Sequence, residues 1–407
     1  MLKTLVIKLA RSYRFPAMKF FDDLEKAVFL DRPNRFVVRC RLGGRIAVAH
    51  MPNPGRMWEL LLPGVTLLVV RRNPGGHHRT DCTVVGVEKG GMPVMLHTQR
   101  TNDVARYLIE QKRIPALENF TVAQQEYTIG RSRFDLLLEG PQGRMVVEVK
   151  SCTLFGHGLA MFPDAVTERG RRHLAHLAEL ARHGLQTGVL FLVHYPHVDY
   201  FLPDYHTDFA FSRTFLEVRD CVMLKAVAVG WDAGLRLREE LVHELTVPFD
   251  LLEREAVDAG VYIIIMRLEK GRDIAVGSMG VVHFKKGYYL YVGSARKNLQ
   301  ARMDRHRRQG KKLFWHIDYL RAEALFCAAV PVRGTVVAEC ELATAVAAVS
   351  PWQAPGFGCS DCDCASHLFG MADDPLKNPA FIDMLLRMRM GALGPQLPRC
   401  GAHGMYA

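Results

Sequence analysis

Short apolar runs broken by turn residues fill the first hundred positions. Arg35-Phe36-Val37-Val38-Arg39-Cys40-Arg41 is followed by Gly43-Gly44 and then Arg45-Ile46-Ala47-Val48-Ala49-His50. Val65-Thr66-Leu67-Leu68-Val69-Val70 and Thr83-Val84-Val85-Gly86-Val87 come later. Closely spaced short strands predict a small β-barrel or sandwich over residues 18–100. A hairpin comes next: Phe134-Asp135-Leu136-Leu137-Leu138, the polar loop Glu139-Gly140-Pro141-Gln142-Gly143, then Met145-Val146-Val147-Glu148-Val149-Lys150. A four-residue loop from Gly140 to Gly143 sets Glu139 opposite Arg144 and Asp135 opposite Glu148. A five-residue loop slips that register by one and changes which residues share a face. Leu174, Leu177 and Ala181 mark one face of a helix that Gly184 stops. Gly188-Val189-Leu190-Phe191-Leu192-Val193 is continuously apolar, like a strand covered on both faces. These elements predict an α/β domain over residues 101–230.

The pattern then changes. Residues 231–255 carry Glu239, Glu240, Glu244, Asp250, Glu253 and Glu255 and read as a linker. Gly260-Val261-Tyr262-Ile263-Ile264-Ile265 and Gly287-Tyr288-Tyr289-Leu290-Tyr291-Val292-Gly293 read as strands. Leu299, Arg302 and His306, at i, i+3 and i+7, share a helix face, and a second helix begins near Glu339. A small α/β domain is expected over 256–370. Residues 371–407 hold Pro375, Pro379, Pro395 and Pro398 and one apolar piece, 381–388, and read as an appended tail.

Composition narrows the function classes. A chain of 407 residues accommodates two or three domains. The net charge of +11 favours an acidic partner, with nucleic acid the first candidate. No run of 18 apolar residues occurs, so no membrane span is expected. The first ten residues lack a long apolar core and a small-residue cleavage site, which argues against a signal peptide. The cysteines are mostly scattered, with only Cys359, Cys362 and Cys364 clustered, a distribution suited to a reducing cytoplasm.

The residue types then suggest chemistry. Asp135 and Glu148 would converge in the hairpin with Lys150, two positions on and therefore on the same face as Glu148. Paired carboxylates suit a hard cation, magnesium or manganese, which lowers the pKa of a bound water and polarises a phosphate. The bland alternative is an exposed hairpin with a surface Glu/Lys pair. The stiff loop His50-Met51-Pro52-Asn53-Pro54-Gly55-Arg56 could present Asn53 and Arg56 to a phosphate. Arg35 would sit on the outside of the barrel. Arg169, Arg171, Arg172 and His173 lie at a helix start, where cations oppose the macrodipole, so anion binding explains them better than helix stability. Arg296, Lys297, Arg302, Arg305, Arg307, Arg308, Lys311 and Lys312 stand against Asp304 alone, which suits phosphate contacts.

Long motifs in order now identify relatives. Arg32-Pro33-Asn34-Arg35-Phe36, His50-Met51-Pro52-Asn53-Pro54-Gly55-Arg56, Ser132-Arg133-Phe134-Asp135, Glu148-Val149-Lys150-Ser151-Cys152-Thr153-Leu154 and Phe162-Pro163-Asp164-Ala165-Val166-Thr167-Glu168-Arg169-Gly170 resemble the sugar fermentation stimulation protein A family of prokaryotes. The resemblance covers residues 15–230. It implies an OB-like barrel, then a PD-(D/E)xK nuclease-like domain with Asp135, Glu148 and Lys150 on the nuclease-type positions, and an association with DNA binding and sugar use. Glu126 is an additional candidate acid and Arg133 a candidate DNA contact. Residues 256–370 resemble the GIY-YIG nuclease fold, with Gly260-Val261-Tyr262 and Tyr291-Val292-Gly293. The strings Lys312-Leu313-Phe314-Trp315-His316-Ile317-Asp318 and Gly356-Phe357-Gly358-Cys359-Ser360-Asp361-Cys362-Asp363-Cys364-Ala365-Ser366-His367 resemble an uncharacterised GIY-YIG-like prokaryotic family. That likeness implies Tyr262, Tyr291, Arg302 and His306 around a phosphate and a metal-holding glutamate, Glu339 or alternatively Glu341. Cys359, Cys362, Cys364 and His367 offer four soft ligands for zinc.

The expected protein is thus a multi-domain α/β chain in the cytoplasm that binds DNA and hydrolyses phosphodiesters with magnesium. The alternative is a non-catalytic DNA-binding regulator that keeps nuclease-like folds as surfaces. The sequence leaves RNA binding and homo-oligomer formation open.

Overall fold

The computed structural model describes residues 19–72, 79–130, 132–310 and 312–398. The first ten residues, Lys311 of the basic run and Cys400 lie outside the described residues.

Five strands, β1 (Leu24–Asn34), β2 (Val37–Leu42), β3 (Arg45–His50), β4 (Thr66–Arg71) and β5 (Cys82–Lys89), form a closed barrel. The sheet runs β3-β2-β1-β4-β5, and a parallel pairing of β3 with β5 closes it. Alternation fills the interior: Val38, Cys40 and Leu42 are buried, whereas Arg39 and Arg41 face out. A further strand, β6 (Met92–Met95), extends β5. The turn after β3 has no ladder partners for its carbonyls, and Arg32 supplies donors. Its guanidinium donates to the carbonyls of Gly55 (2.5 Å), Asn53 (2.8 Å), Arg35 (2.6 Å) and Arg56 (3.1 Å). Five fixed N–H groups in a planar fork can serve several carbonyls together, as a lysine could not.

The second unit begins with α1 (Arg100–Glu110), β7 (Thr121–Ile129), β8 (Ser132–Gly140) and β9 (Gly143–Cys152). Short strands β10 (Leu154–Gly156) and β11 (Leu159–Phe162) precede α2 (Glu168–Arg182), and β12 (Gln186–Val193), β13 (Tyr200–Pro203) and α3 (Phe209–Glu217) follow. It ends with β14 (Met223–Trp231), β15 (Leu237–Leu245) and α4 (Phe249–Glu255). The main sheet runs β15-β14-β12-β9-β8-β7, with β9, β12 and β14 parallel. Helix α1 buries Val104, Leu108 and Ile109 against Leu136, Val147 and Leu190 on one face. On the other, α2 and α3 bury Leu174, Leu177 and Phe211 against Val146, Val189 and Phe191. Central β12 is therefore buried from Thr187 onward, as its unbroken apolar run predicts. Gly184, at φ +87°, takes the left-handed position just past the end of α2.

The hairpin pairs Glu139 with Arg144 and Gly140 with Gly143, the register set by the four-residue loop. The ladder ends at Leu136 and Val147. Beyond it the Asp135 carboxylate accepts the Val149 N–H at 2.8 Å. The stretch that reads as an acidic linker is structured: β15 pairs with β14, and Leu251 and Leu252 are buried in the core. Glu239 meets Tyr107 and Arg113, and Glu244 meets Lys225, whereas Glu255 is buried.

The third unit contains β16 (Gly260–Leu268), β17 (Arg272–Ala275), β18 (Val281–Phe284), β19 (Gly287–Ala295), α5 (Leu299–Arg307), α6 (His316–Glu323) and β20 (Leu325–Arg333). It continues with α7 (Glu339–Ala348), β21 (Trp352–Gln353), β22 (Leu368–Met371) and α8 (Pro379–Arg389). Its antiparallel sheet runs β20-β16-β19-β22-β21. Helices α5 and α6 cover one face, burying Leu299, Met303, Ile317 and Leu320. Helices α7 and α8 cover the other, where Leu342, Val346, Phe381 and Leu385 pack on Ile263 and Ile265. Residues 371–407, which read as an appended tail, thus supply part of this core through α8. Pro379 occupies the first turn, and Asn378 accepts the N–H groups of Ala380 (2.9 Å) and Phe381 (3.2 Å).

A buried polar junction joins the second and third units. His206 Nδ1 accepts the Arg333 backbone N–H at 2.9 Å, and Nε2–H donates to the Arg389 carbonyl at 3.2 Å. Burial holds the His206 pKa well below its ordinary value, and the charges of Arg389 and Arg333 act in the same direction. A protonated ring would turn a second N–H toward a donor. The unfolded chain binds a proton near pH 6.5, so this group removes stability as pH falls through that value. The urea midpoint is therefore expected to drop between pH 7 and 5. The drop should be smaller in His206→Gln, whose amide can both accept and donate. An identical slope in the two proteins would rule out this assignment.

Candidate active site

Asp135, Glu148 and Lys150 meet in an open cleft between the barrel and the second sheet. Glu148 is buried at 4% exposure on β9. Its Oε1 accepts from His173 Nδ1 at 2.6 Å and from Lys150 Nζ. Burial works against its ionisation, but the His173 and Lys150 contacts prevail and hold its pKa below the usual carboxylate range. Its Oε2 is buried and has no hydrogen-bond partner. Asp135 Oδ1 accepts from Asn102 Nδ2 at 2.8 Å, and its other oxygen takes the Val149 N–H. Burial, then the charge of Glu148, push the Asp135 pKa up. Two carboxylates of unequal basicity, one with an orphaned oxygen, fit a hard divalent cation. Each Asp135 oxygen keeps a lone pair for such an ion.

Glu126 lies on β7 between the pairs Gln125–Leu136 and Tyr127–Phe134, at the register position of Asp135. Its φ is +54°, a left-handed value that costs a non-glycine residue about 1–2 kcal/mol. It lines the same cleft and pairs with Arg133 at 3.4 Å.

In the third unit Tyr262, Tyr291, Arg302 and Glu339 line one cleft. Glu339, the first residue of α7, accepts from His367 Nδ1 at 3.0 Å and from Ser294 Oγ. Burial raises its pKa, yet these contacts outweigh burial and hold it low. Glu341 instead folds back as a cap on the Ala338 N–H at 3.4 Å. His306 is buried, and its Nε2 meets the Tyr262 hydroxyl at 2.9 Å, so it acts behind the tyrosine and does not face a phosphate. Burial pushes both Tyr262 and Tyr291 far above the usual phenol range. Burial therefore works against either of them acting as a base near neutral pH.

The predicted phosphate contacts divide. Arg35, Arg133 and Arg169 are exposed at the rim of the first cleft, and Arg172 lies just beside it. Arg308 is exposed after α5. Three residues have structural partners instead. Asn53 is buried, and its Oδ1 accepts the Gly55 N–H at 2.9 Å, stiffening the turn. Arg56 stacks on Trp58 at 5.0 Å and borders other pockets. Arg305 lies 3.9 Å over Trp315 and pairs bidentately with buried Asp318 at 2.8 and 3.1 Å. Among the cysteines, Cys359 falls outside the convergent group, and Cys340 of α7 takes its place beside Cys362, Cys364 and His367.

Several site partners escape a reading of the sequence alone. His173 reads as one of a run of anion-binding cations, although helical spacing from Leu177 turns it inward to Glu148. Asn102, Ser294 and Cys340 have no local signal, because each reaches its site only across the fold.

Comparisons place these units among known proteins. A profile described as "SfsA N-terminal OB domain" matches residues 30–96, and "Sugar fermentation stimulation protein RE domain" matches 99–234. "Domain of unknown function DUF123" matches 261–390. A sugar fermentation stimulation protein homolog of Clostridium kluyveri is 35% identical over 232 residues, 56% of this chain and 100% of its own length. The homolog of Methanothermobacter thermautotrophicus is 38% identical over 184 residues, 45% of this chain and 76% of that protein. The solved structure of Pyrococcus furiosus SfsA in complex with Ca2+ is 30% identical, covers 57% of this chain and 99% of that one, and superposes with a TM-score of 0.52.

The Arg305 pairing yields a test. Arg305→Ala removes the bidentate guanidinium from the buried Asp318 carboxylate, which costs on the order of 3 kcal/mol. A fall in the denaturation midpoint with little change in nucleic-acid affinity is expected. A large affinity loss at unchanged stability would return Arg305 to the binding surface.

Proposed function

The chain belongs to the sugar fermentation stimulation protein family, and we propose that it binds DNA and cleaves phosphodiester bonds with a divalent cation. The observation that carries this reading is the buried Glu148, ionised, with one oxygen committed to His173 and Lys150 and the other unpartnered in a cleft rimmed by arginines. Asp135 and Glu148 would hold magnesium or manganese, which lowers the pKa of a bound water and polarises the phosphate. The calcium complex of the Pyrococcus furiosus relative supports a divalent cation in this family.

The chain's own groups do the rest. His173 fixes the orientation of Glu148 and keeps it charged. Lys150, 19% exposed, sits at the cleft floor, where its ammonium offsets charge building on the phosphate. Arg133 and Arg169 meet the nucleic-acid backbone, consistent with the net charge of +11. In the third unit Arg302 offers its guanidinium to a phosphate, Tyr262 and Tyr291 present hydroxyls, and Glu339 is the metal-holding acid. The rival reading is a regulator that binds DNA without cutting it. The hydrogen bonds from Asn102 and the Val149 N–H already hold Asp135 in place with no metal, which suits that reading.

Incubation of single- and double-stranded DNA with magnesium or manganese decides between them. Cleavage should be abolished by EDTA. Glu148→Gln should reduce the activity of the first site at least about 100-fold, and Glu339→Gln that of the second. Only the double variant should be inert. Binding should weaken linearly in a log–log salt plot, with a slope of about −0.9 per phosphate contacted on duplex DNA. Wild-type protein that binds with this salt dependence but cuts nothing would leave the regulator as the function.

A further inference from the structure

We propose that Cys340, Cys362, Cys364 and His367 form a structural zinc site that fastens the wall of the third unit's cleft to α7. The four ligand atoms lie within 4.8 Å of one another. Tetrahedral zinc, with bonds of about 2.3 Å to sulfur and 2.0 Å to nitrogen, requires neighbouring ligand atoms roughly 3.5–3.8 Å apart. Cys362 Sγ and His367 Nε2 already stand at 3.4 Å. All three thiols are free. Three thiolates and an imidazole are soft donors that select zinc over magnesium. A set of four protein ligands leaves no open position, so this metal holds structure and performs no hydrolysis.

Two separate segments supply the ligands. Cys340 is the second residue of α7, whereas Cys362, Cys364 and His367 come from the turn-rich stretch between β21 and β22. That stretch contributes Gly358, Ser360 and Asp361 to the cleft, and Gly358 lies against the Tyr291 ring. Backbone hydrogen bonds from Gly356 to Ala365 (2.9 Å) and from His367 to Phe357 (2.8 Å) close its base, but its tip carries only the long Cys362-to-Cys359 contact at 3.5 Å, so a metal tie to α7 would fix that tip. His367 connects the tie to the cleft. Its Nδ1–H donates to Glu339 Oε1 at 3.0 Å while Nε2 faces the thiols. A carboxylate behind a ligating histidine sets the ring's tautomer and orientation. Here the same hydrogen bond orients Glu339, with Ser294 holding its other oxygen. Zinc would therefore act on the cleft by positioning Glu339. That coupling rests on the proposed nuclease reading, whereas the zinc site does not.

The test uses the full chain purified under reducing conditions, with zinc measured by elemental analysis and by release to a chromogenic chelator after thiol modification. A single equivalent of zinc per chain is expected, as is intense visible absorption on cobalt(II) substitution, typical of a tetrahedral thiolate site. Cys340→Ser and Cys364→Ser should lose the metal, and Cys359→Ser should keep it. Cys340 is exposed, so its variant tests the site even where Cys364→Ser fails to fold. Glu339→Gln should weaken zinc affinity by roughly 10–100-fold. Two results would overturn the site: a wild-type chain that neither carries zinc nor takes it up against a chelator, or equal metal loss in Cys359→Ser and Cys340→Ser. Zinc present without DNA cleavage sinks the nuclease reading alone, and magnesium-dependent cleavage by a chain that takes up no zinc sinks the site alone.

Discussion

The first cleft depends on keeping Glu148 charged while buried. Removing a carboxylate from water costs several kcal/mol unless partners compensate. His173 and Lys150 compensate on one oxygen only. Full satisfaction would make Glu148 a structural ion pair, and no satisfaction would leave it protonated. Half satisfaction leaves a charged, desolvated oxygen facing a cleft. The geometry depends on three elements arriving together: β9 carries Glu148 and Lys150, α2 carries His173, and α1 brings Asn102 to hold Asp135. The parallel pairing of β9 with β12, with α2 as the crossover, is what sets His173 over the strand.

The barrel is attached to this site by sterics as much as by hydrogen bonds. A Cβ at position 55 would lie 2.3 Å from an Asp164 carboxylate oxygen, so only glycine allows the loop to approach. The same carboxylate accepts the Met57 N–H at 3.1 Å. Close by, Glu59 is buried, and its pKa is pushed up to about 8, so it sits there as a neutral acid near pH 7. A similar device joins the second and third units. Glu255, at the end of α4, accepts the Thr335 N–H at 2.8 Å and lies where a side chain on Gly334 would be. With His206 and Arg389, it makes the junction a buried polar network with specified partners.

The two clefts solve charge differently. In the first, a buried carboxylate is stabilised by a cation and an imidazole. In the second, Glu339 is tied to His367 and Ser294, and burial pushes the tyrosine pKa values up. Arg302 lies 4.6 Å over the Trp315 ring, and this stacking holds it at the cleft.

Local signals determined much of this protein. Strand alternation and turn residues specified the barrel strands, and the loop length specified the Glu139–Arg144 register. The unbroken apolar run of β12 showed a strand covered on both faces. The motifs holding Asp135, Glu148, Lys150, Tyr262, Tyr291 and Glu339 were visible because each needs only short-range spacing. Local spacing could not assign partners across the fold. Asn53 and Arg56 look like phosphate ligands because a stiff loop and polar tips suggest one, yet folding turns Asn53 onto its own backbone and Arg56 onto Trp58. Cys359 is close to Cys362 in sequence, but a turn carries it away and α7 delivers Cys340. The tail becomes core because α8 has an apolar face that packs on the back of the third sheet. Sequence set which residues were available within a turn or a strand. Tertiary structure decided which of them met, because hydrogen bonds and metal geometry act over a few ångströms of space, whatever the separation along the chain.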